Sequence, residues 1–163
     1  IEPEEHDSVL VLGDGDGIAT DAPGAVETLD AGLEPTLSGD QLELWRIENA
    51  VPRWGREIDD RILPAEAGLD RTHVSFSKGC YPGQEPVARL HFRGHPNRGL
   101  RVLELAELPP PDAELIHEGR AVGRVTSAAR RPDGSVVALA YVRTEVPEDA
   151  ELEVASGAEA RTG

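Results

Sequence analysis

From residue 100 onward the chain alternates short apolar runs with turn signals, and that rhythm constrains the fold more than any other feature. The runs cover 100–105, 114–117, 120–128, 136–142 and 151–154. Between them lie Pro109-Pro110-Pro111-Asp112, Glu118-Gly119, Pro132-Asp133-Gly134 and Val146-Pro147-Glu148-Asp149. Strands this short are not stable as lone hairpins, and five at this spacing predict a small antiparallel barrel. Residues 116–123 read as a hairpin that reverses at Glu118-Gly119.

Upstream the pattern is mixed. Residues 9–12 read as a buried strand, 13–17 as a turn, and 18–20 as the returning partner of a hairpin. The Asp/Gly run has a superficial likeness to a calcium loop. Counting Asp14 as first, Ala25 stands where the twelfth-position glutamate is needed, so a turn explains the run better. Residues 23–31 predict a short helix capped by Asp21 and stopped by Gly32. A second helix starts from a cap at Ser38 or Asp40 and runs to about Ala50. Pro64 opens a short helix ending at Gly68, 74–76 form a short strand, and a helix starting near Gln84 ends near Phe92. Trp54 fits best as a core residue, with stacking on a ligand ring as the other reading. The fold class is α+β, with a boundary near residue 98 and a disordered tail over 156–163.

Charge narrows the function classes. The chain has 163 residues and a net charge of −15, which disfavours direct nucleic-acid binding by the whole surface. The segment 71–101 runs against this. It carries six basic residues (Arg71, Lys78, Arg89, Arg93, Arg98, Arg101) and one acid, Glu85, a local net of +5. A basic, histidine-bearing stretch on an acidic body predicts a site for an anionic ligand, and 93–98 read as its contacting loop. A single cysteine excludes an internal disulfide framework and suits a reducing compartment. No apolar run approaches membrane-spanning length, and the cytoplasm is the expected location. No methionine occurs, even at position 1, which predicts a partial or processed chain. His91, His95 and Cys80 do not form a recognisable metal pattern, so no metal site is expected.

The chemistry concentrates in Lys78-Gly79-Cys80-Tyr81-Pro82-Gly83-Gln84-Glu85, which holds the only lysine and the only cysteine. Glycines and proline turn the backbone tightly, and Pro86 suits the first turn of a following helix. Cys80 would then sit just before a helix N-terminus, beside the Lys78 ammonium. Both features favour a thiolate. A lone cysteine is more often a small buried apolar residue. The polar residues crowding this turn shift the balance toward a site.

The octapeptide resembles the signature of the YgfZ family, folate-binding and iron–sulfur-linked relatives of the glycine-cleavage T-protein. The segments 45–58 (Trp-Arg-Ile-Glu-Asn-Ala-Val-Pro-Arg-Trp-Gly-Arg-Glu-Ile) and 62–69 (Ile-Leu-Pro-Ala-Glu-Ala-Gly-Leu) are similar to family segments on the upstream side. Together with Ala88-Arg89 and the basic run to Arg98, the resemblance covers roughly residues 40–145. Ala50 departs from it, standing where the family usually has glycine.

The resemblance implies that residues 1–98 are part of a T-protein-like folate-binding α/β region and that 99–155 form its small antiparallel β-barrel. It implies tetrahydrofolate as cofactor, with Glu48 pairing with the pterin edge and Arg46 and Trp54 beside it. Cys80 would carry the chemistry, with Lys78 depressing its pKa. Gly79, Tyr81, Gly83, Gln84, Glu85 and Arg89 would shape the loop. The implied role is support of iron–sulfur cluster assembly or repair, and through it tRNA modification. The implied partners are folate and iron–sulfur client or assembly proteins, without membrane association. The alternatives are an aminomethyltransferase fragment or a noncatalytic interaction module. The T-protein lacks the cysteine octapeptide, and its catalytic aspartate would lie upstream of residue 1.

Overall fold

The computed structural model describes 9–12, 18–19, 25–28, 37–71, 73–76, 79 and 83–155; for 9–12, 18–19, 25–28 and 90–93 only the backbone is described. The chain divides into two compact units, Ile1–Leu42 and Glu43–Gly163. In the first, β1 (Val9–Leu12), β2 (Ile18–Ala19) and β3 (Ala25–Thr28) form a small antiparallel sheet in the order β1-β3-β2. Two expectations are corrected here. Residues 25–28 form a strand and not part of a helix, and Ile18–Ala19 pair with β3 and not with β1. Val26 and Thr28, β-branched at alternate positions, favour extended backbone, and a run this short gains little from helix formation.

Helix α1 spans Gly39–Glu48. Its start is a capping box: Gln41 N–H donates to Ser38 Oγ (3.2 Å), and Ser38 N–H donates to Gln41 Oε1 (2.8 Å). It ends in a Schellman motif, with Ala50 N–H donating to Ile47 O (3.1 Å) and Val51 N–H to Arg46 O (2.9 Å). That motif needs a left-handed residue, and Ala50 supplies it at φ +53°. Glycine would fit without strain, which is the physical content of the departure from the family pattern at this position.

Residues 51–71 form consecutive turns, so the short helix expected at 64–68 is absent, with Gly68 at φ +74°. Residues 74–76 do not form a strand. Helix α2 spans Gln84–Arg93. Five strands follow: β4 (Arg98–Leu105), β5 (Glu114–His117), β6 (Arg120–Arg130), β7 (Val136–Arg143) and β8 (Glu153–Val154). They form one antiparallel sheet in the order β4-β7-β6-β5-β8, as a small barrel domain requires. Glu118 and Gly119 turn the β5–β6 hairpin with φ +50° and +74°, the pair of left-handed residues of a two-residue turn.

β7 is buried on both faces. Ala138, Ala140 and Val142 join Leu115, Val122, Val125 and Val146 in the main core. Val137 and Leu139 face the other way, onto Ile47 of α1. β6 meets this two-sided strand with a bulge between Val125 and Ser127. The bulge puts Ala128 in the main core and Ala129 in the second cluster. It also turns Ser127 to the α1 side, while the Thr126 hydroxyl donates to Leu139 O (3.1 Å). At the other end of β6, a Cβ on Gly123 would run into the Tyr141 carbonyl oxygen and lie 3.2 Å from Val142 Cα.

Two substitutions report on this framework in thermal or denaturant unfolding. Ala50→Gly relieves the left-handed strain and stabilises by about 1 kcal/mol. Gly123→Ala forces β6 from β7 and destabilises by about 3 kcal/mol or more.

Candidate functional site

The segment after α1 is shaped by one carbonyl. Arg53 O accepts from the N–H groups of Arg56, Glu57 and Ile58 at 3.2, 3.0 and 3.2 Å. Gly55, at φ +79°, donates to Ile58 O (2.8 Å). This tight turn sends Trp54 outward, where it is 68% exposed, and buries Glu57 completely at 0% exposed. The sequence reading places Trp54 in the core; the reversal at Gly55 puts the glutamate there instead.

Burial of a carboxylate requires partners, and Glu57 has them. Its Oε2 accepts from Arg46 Nη1 (3.0 Å) and Arg53 N–H (3.0 Å), and its Oε1 accepts from the Ser127 hydroxyl (2.7 Å). Arg46 is 7% exposed. Its remaining donors go to Glu43 Oε2 and Oε1 (3.0 and 2.7 Å), Val51 O (2.8 Å) and Ser127 Oγ (2.8 Å). The five N–H groups of the guanidinium are all used. Burial opposes the Arg46 charge, but the Glu43 and Glu57 carboxylates outweigh it and hold its pKa above the ordinary value. The hydrogen bond from Arg46 holds the Glu43 carboxyl below its ordinary range. Tyr141 completes the centre: its hydroxyl donates to Glu57 O (2.8 Å), and burial pushes its pKa up to about 12.

Arg46 thus braces α1 against β6, whereas Glu48 is exposed at the end of the helix. Glu48 Oε1 accepts from Arg131 Nε at 2.6 Å, and Oε2 has no partner among the described residues. Arg131 also reaches Glu104 (3.1 Å), and the Glu48 hydrogen bond raises its pKa. A carboxylate at a helix C-terminus opposes the helix dipole, and Arg131 offsets that. Glu48 and Trp54 thus both stand exposed, on adjoining segments, with one Glu48 oxygen unspent among the described residues.

Of the octapeptide, Lys78, Cys80, Tyr81 and Pro82 lie outside the described residues. Gly79 is exposed, and Gly83 has φ +81°. Gln84 and Glu85 open α2, with Pro86 in its first turn. Arg89 and Glu85 make an exposed contact of 3.4 Å one turn apart. The structure brings Arg46 and Glu48 onto one helix and leaves Trp54 on the turn beyond it. Glu57 and Ser127, which organise the site, carry no signal in the sequence; an acid two residues past a Trp-Gly pair reads as a surface residue. An open cleft of about 410 Å³ is lined by Glu66, Asp70, Arg71 and His95. Among the described residues, no group of three or more His, Cys, Asp or Glu side chains is placed to hold a metal ion. No helix among them is long and apolar enough to cross a membrane.

Glu57→Gln leaves the buried guanidinium short of a counter-charge. Denaturant unfolding should show a loss of about 3 kcal/mol, and Glu48→Gln at the exposed end of the helix should change stability little.

Residues 98–162 match the family model of the glycine cleavage T-protein C-terminal barrel domain. The tRNA-modifying protein YgfZ of Aliivibrio fischeri is 31% identical over 136 residues, covering 78% of this chain and 43% of that protein. YgfZ of Serratia proteamaculans is 38% identical over 115 residues, 66% of this chain and 35% of the relative. An aminomethyltransferase of Moorella thermoacetica is 35% identical over 116 residues, 69% of this chain and 31% of the relative. The chain spans less than half the length of these relatives. With its five-stranded antiparallel barrel sheet and its octapeptide, the chain belongs to the YgfZ family of T-protein relatives.

Proposed function

We propose that this chain is a folate-linked protein that supports assembly or repair of iron–sulfur clusters, and through them tRNA modification, by means of a reactive Cys80 thiolate. The observation that carries the reading is the octapeptide at 78–85, set upstream of a barrel that matches the T-protein barrel model. The name that the similar proteins carry, tRNA-modifying protein YgfZ, supports it. Residues up to about 98 would be part of a T-protein-like folate-binding region, with the barrel over 99–155; the family match beginning at residue 98 supports that division.

Each residue then has a role that its chemistry suits. Lys78 and the N-terminal end of α2 favour the Cys80 thiolate. Gly79, Gly83 and Tyr81 shape the loop, and Gln84, Glu85 and Arg89 carry it into the helix. The free Glu48 oxygen would accept N–H donors from a tetrahydrofolate pterin edge, and Trp54 offers a ring to stack on it. Arg46 holds that segment in place. Tetrahydrofolate would supply one-carbon or redox chemistry when bound. A single thiolate provides one of the four ligands that a cluster usually takes, so a cluster would be shared with a client or assembly protein in passing. The aminomethyltransferase among the similar proteins favours a second reading, a T-protein-like fragment. The cysteine octapeptide argues against it.

The pH dependence of Cys80 alkylation in the folded chain tests the reading. The expected midpoint lies well below about 8.5, the value of a free thiol, and moves up in Lys78→Ala. Resistance to alkylation until the protein is denatured would identify a buried structural cysteine and overturn the proposal.

A further inference from the structure

A second candidate site lies on the barrel sheet. Where β4, β7 and β6 end together, a cleft of about 680 Å³ opens over the sheet. Arg98, Arg124, Arg143 and Tyr141 line it, with Glu66 and Glu145. Register explains why they converge. Arg98 pairs directly with Arg143 across β4 and β7, and Arg124 pairs directly with Tyr141 across β6 and β7. Directly opposed residues share a face, so three arginines and one tyrosine lie on the same face of the sheet. Two arginines directly opposite each other destabilise a sheet unless something neutralises them. The β6–β7 ladder begins only at Gly123, and Ala121 and Val122, just before it on β6, form one wall.

The three arginines are not equally committed. Arg98 donates to both Glu66 oxygens (2.9 and 3.3 Å) through Nε and Nη2 and lies 5.1 Å from the Tyr141 ring centroid. It is held in place, with Nη1 unspent among the described residues. Arg124 uses Nη1 on Asp112 (2.8 Å) and leaves Nε and Nη2 free among the described residues. Arg143 makes no hydrogen bond among the described residues; its one counter-charge is Glu145, 3.8 Å away. Other arginines of this sheet are satisfied more fully: Arg101 donates to Val146 O (2.7 Å) and Pro147 O (3.0 Å), and Arg131 to Glu48 and Glu104. The Tyr141 hydroxyl is spent on Glu57 O, so the ring forms an apolar floor and offers no donor.

We propose that this cleft binds a small oxyanion, a carboxylate or a phosphate, which bridges Arg98 Nη1 and Arg143, takes a further N–H from Arg124, and displaces Glu145 from Arg143. Guanidinium groups recognise such two-oxygen faces with parallel hydrogen bonds. Pre-positioning by Glu66 and the Tyr141 ring lowers the ordering cost. The net charge of −15 repels a long polyanion, so the ligand is a small molecule. The basic loop singled out between residues 93 and 98 ends at this cleft through Asn97 and Arg98.

The test is a titration of the whole chain with inorganic phosphate and, separately, with glutarate at low ionic strength, followed by amide and arginine side-chain NMR shifts. Saturable shifts centred on Arg98, Arg124 and Arg143 are expected. A stronger response to phosphate would identify a phosphate ester as the ligand class, and a stronger response to glutarate a carboxylate. Arg143→Gln should weaken binding by about tenfold or more. Glu145→Gln should tighten it, because the competing carboxylate is gone; a general loss of fold could not produce that gain. Shifts that never saturate, or saturable binding that neither substitution changes, would overturn the proposal. Because the proposal rests on no residue of the octapeptide, its test stands apart from that of the thiolate reading.

Discussion

A completely buried carboxylate, that of Glu57, ties together segments far apart in sequence. It joins the end of α1 through Arg46, the turn after it through the Arg53 amide, and β6 through Ser127. Its backbone carbonyl takes the Tyr141 hydroxyl of β7. Desolvating a carboxylate and a guanidinium is costly, and only a complete set of hydrogen bonds offsets it. The set here is complete, which makes it demanding geometrically: a helix end, a tight turn and a bulged strand must all be in place together. Such an arrangement specifies one docking of α1 on the sheet more sharply than Ile47 against Val137 and Leu139 could alone.

That docking links the fold to the proposed chemistry. The same helix that buries Arg46 exposes Glu48 two residues later, and the turn that buries Glu57 exposes Trp54. The exposed residues therefore sit on backbone anchored from beneath. Arg131, from the β6–β7 turn, reaches across to Glu48 and keeps the carboxylate from swinging. That turn is itself fixed: Arg131 N–H donates to Ser135 O (2.8 Å), and Ser135 N–H to Asp133 Oδ1 (2.9 Å).

The barrel was the most legible part of the sequence. Period-two alternation and turn residues located its five strands, and 114–117 matches β5 residue for residue. Local chemistry also announced the cap at Ser38 and the start of α2, because those signals lie within a few residues of the structure they produce. The buried network was not legible. Whether an arginine and a glutamate eleven positions apart meet in the core depends on where β6 passes, and β6 is some seventy residues further on. The small N-terminal sheet was misread for a similar reason: a four-residue strand is chosen by its partners and not by its own propensity. Of the candidate site, the helix and turn carrying Arg46, Glu48 and Trp54 could be read as a unit, but not which of the three faces outward. The Cys80 loop was legible as a motif, and it lies outside the described residues.

The bulge in β6 between Val125 and Ser127 has a consequence for how this barrel can vary. Beyond it, each residue lies on the face opposite to the one that unbroken alternation would assign. Straightening the bulge with every residue kept would carry Ser127 into the apolar interior and swing Ala128 out beneath α1. A single-residue insertion or deletion in the regularly paired parts of β6 would flip faces in the same way, while loss of the extra residue at the bulge, or a change in the turns at 118–119 and 132–134, would not. Length drift among descendants of this chain is channelled into the hairpin tips and the bulge, and the regularly paired residues on either side of Thr126 act as a fixed ruler against which both faces of the sheet are measured.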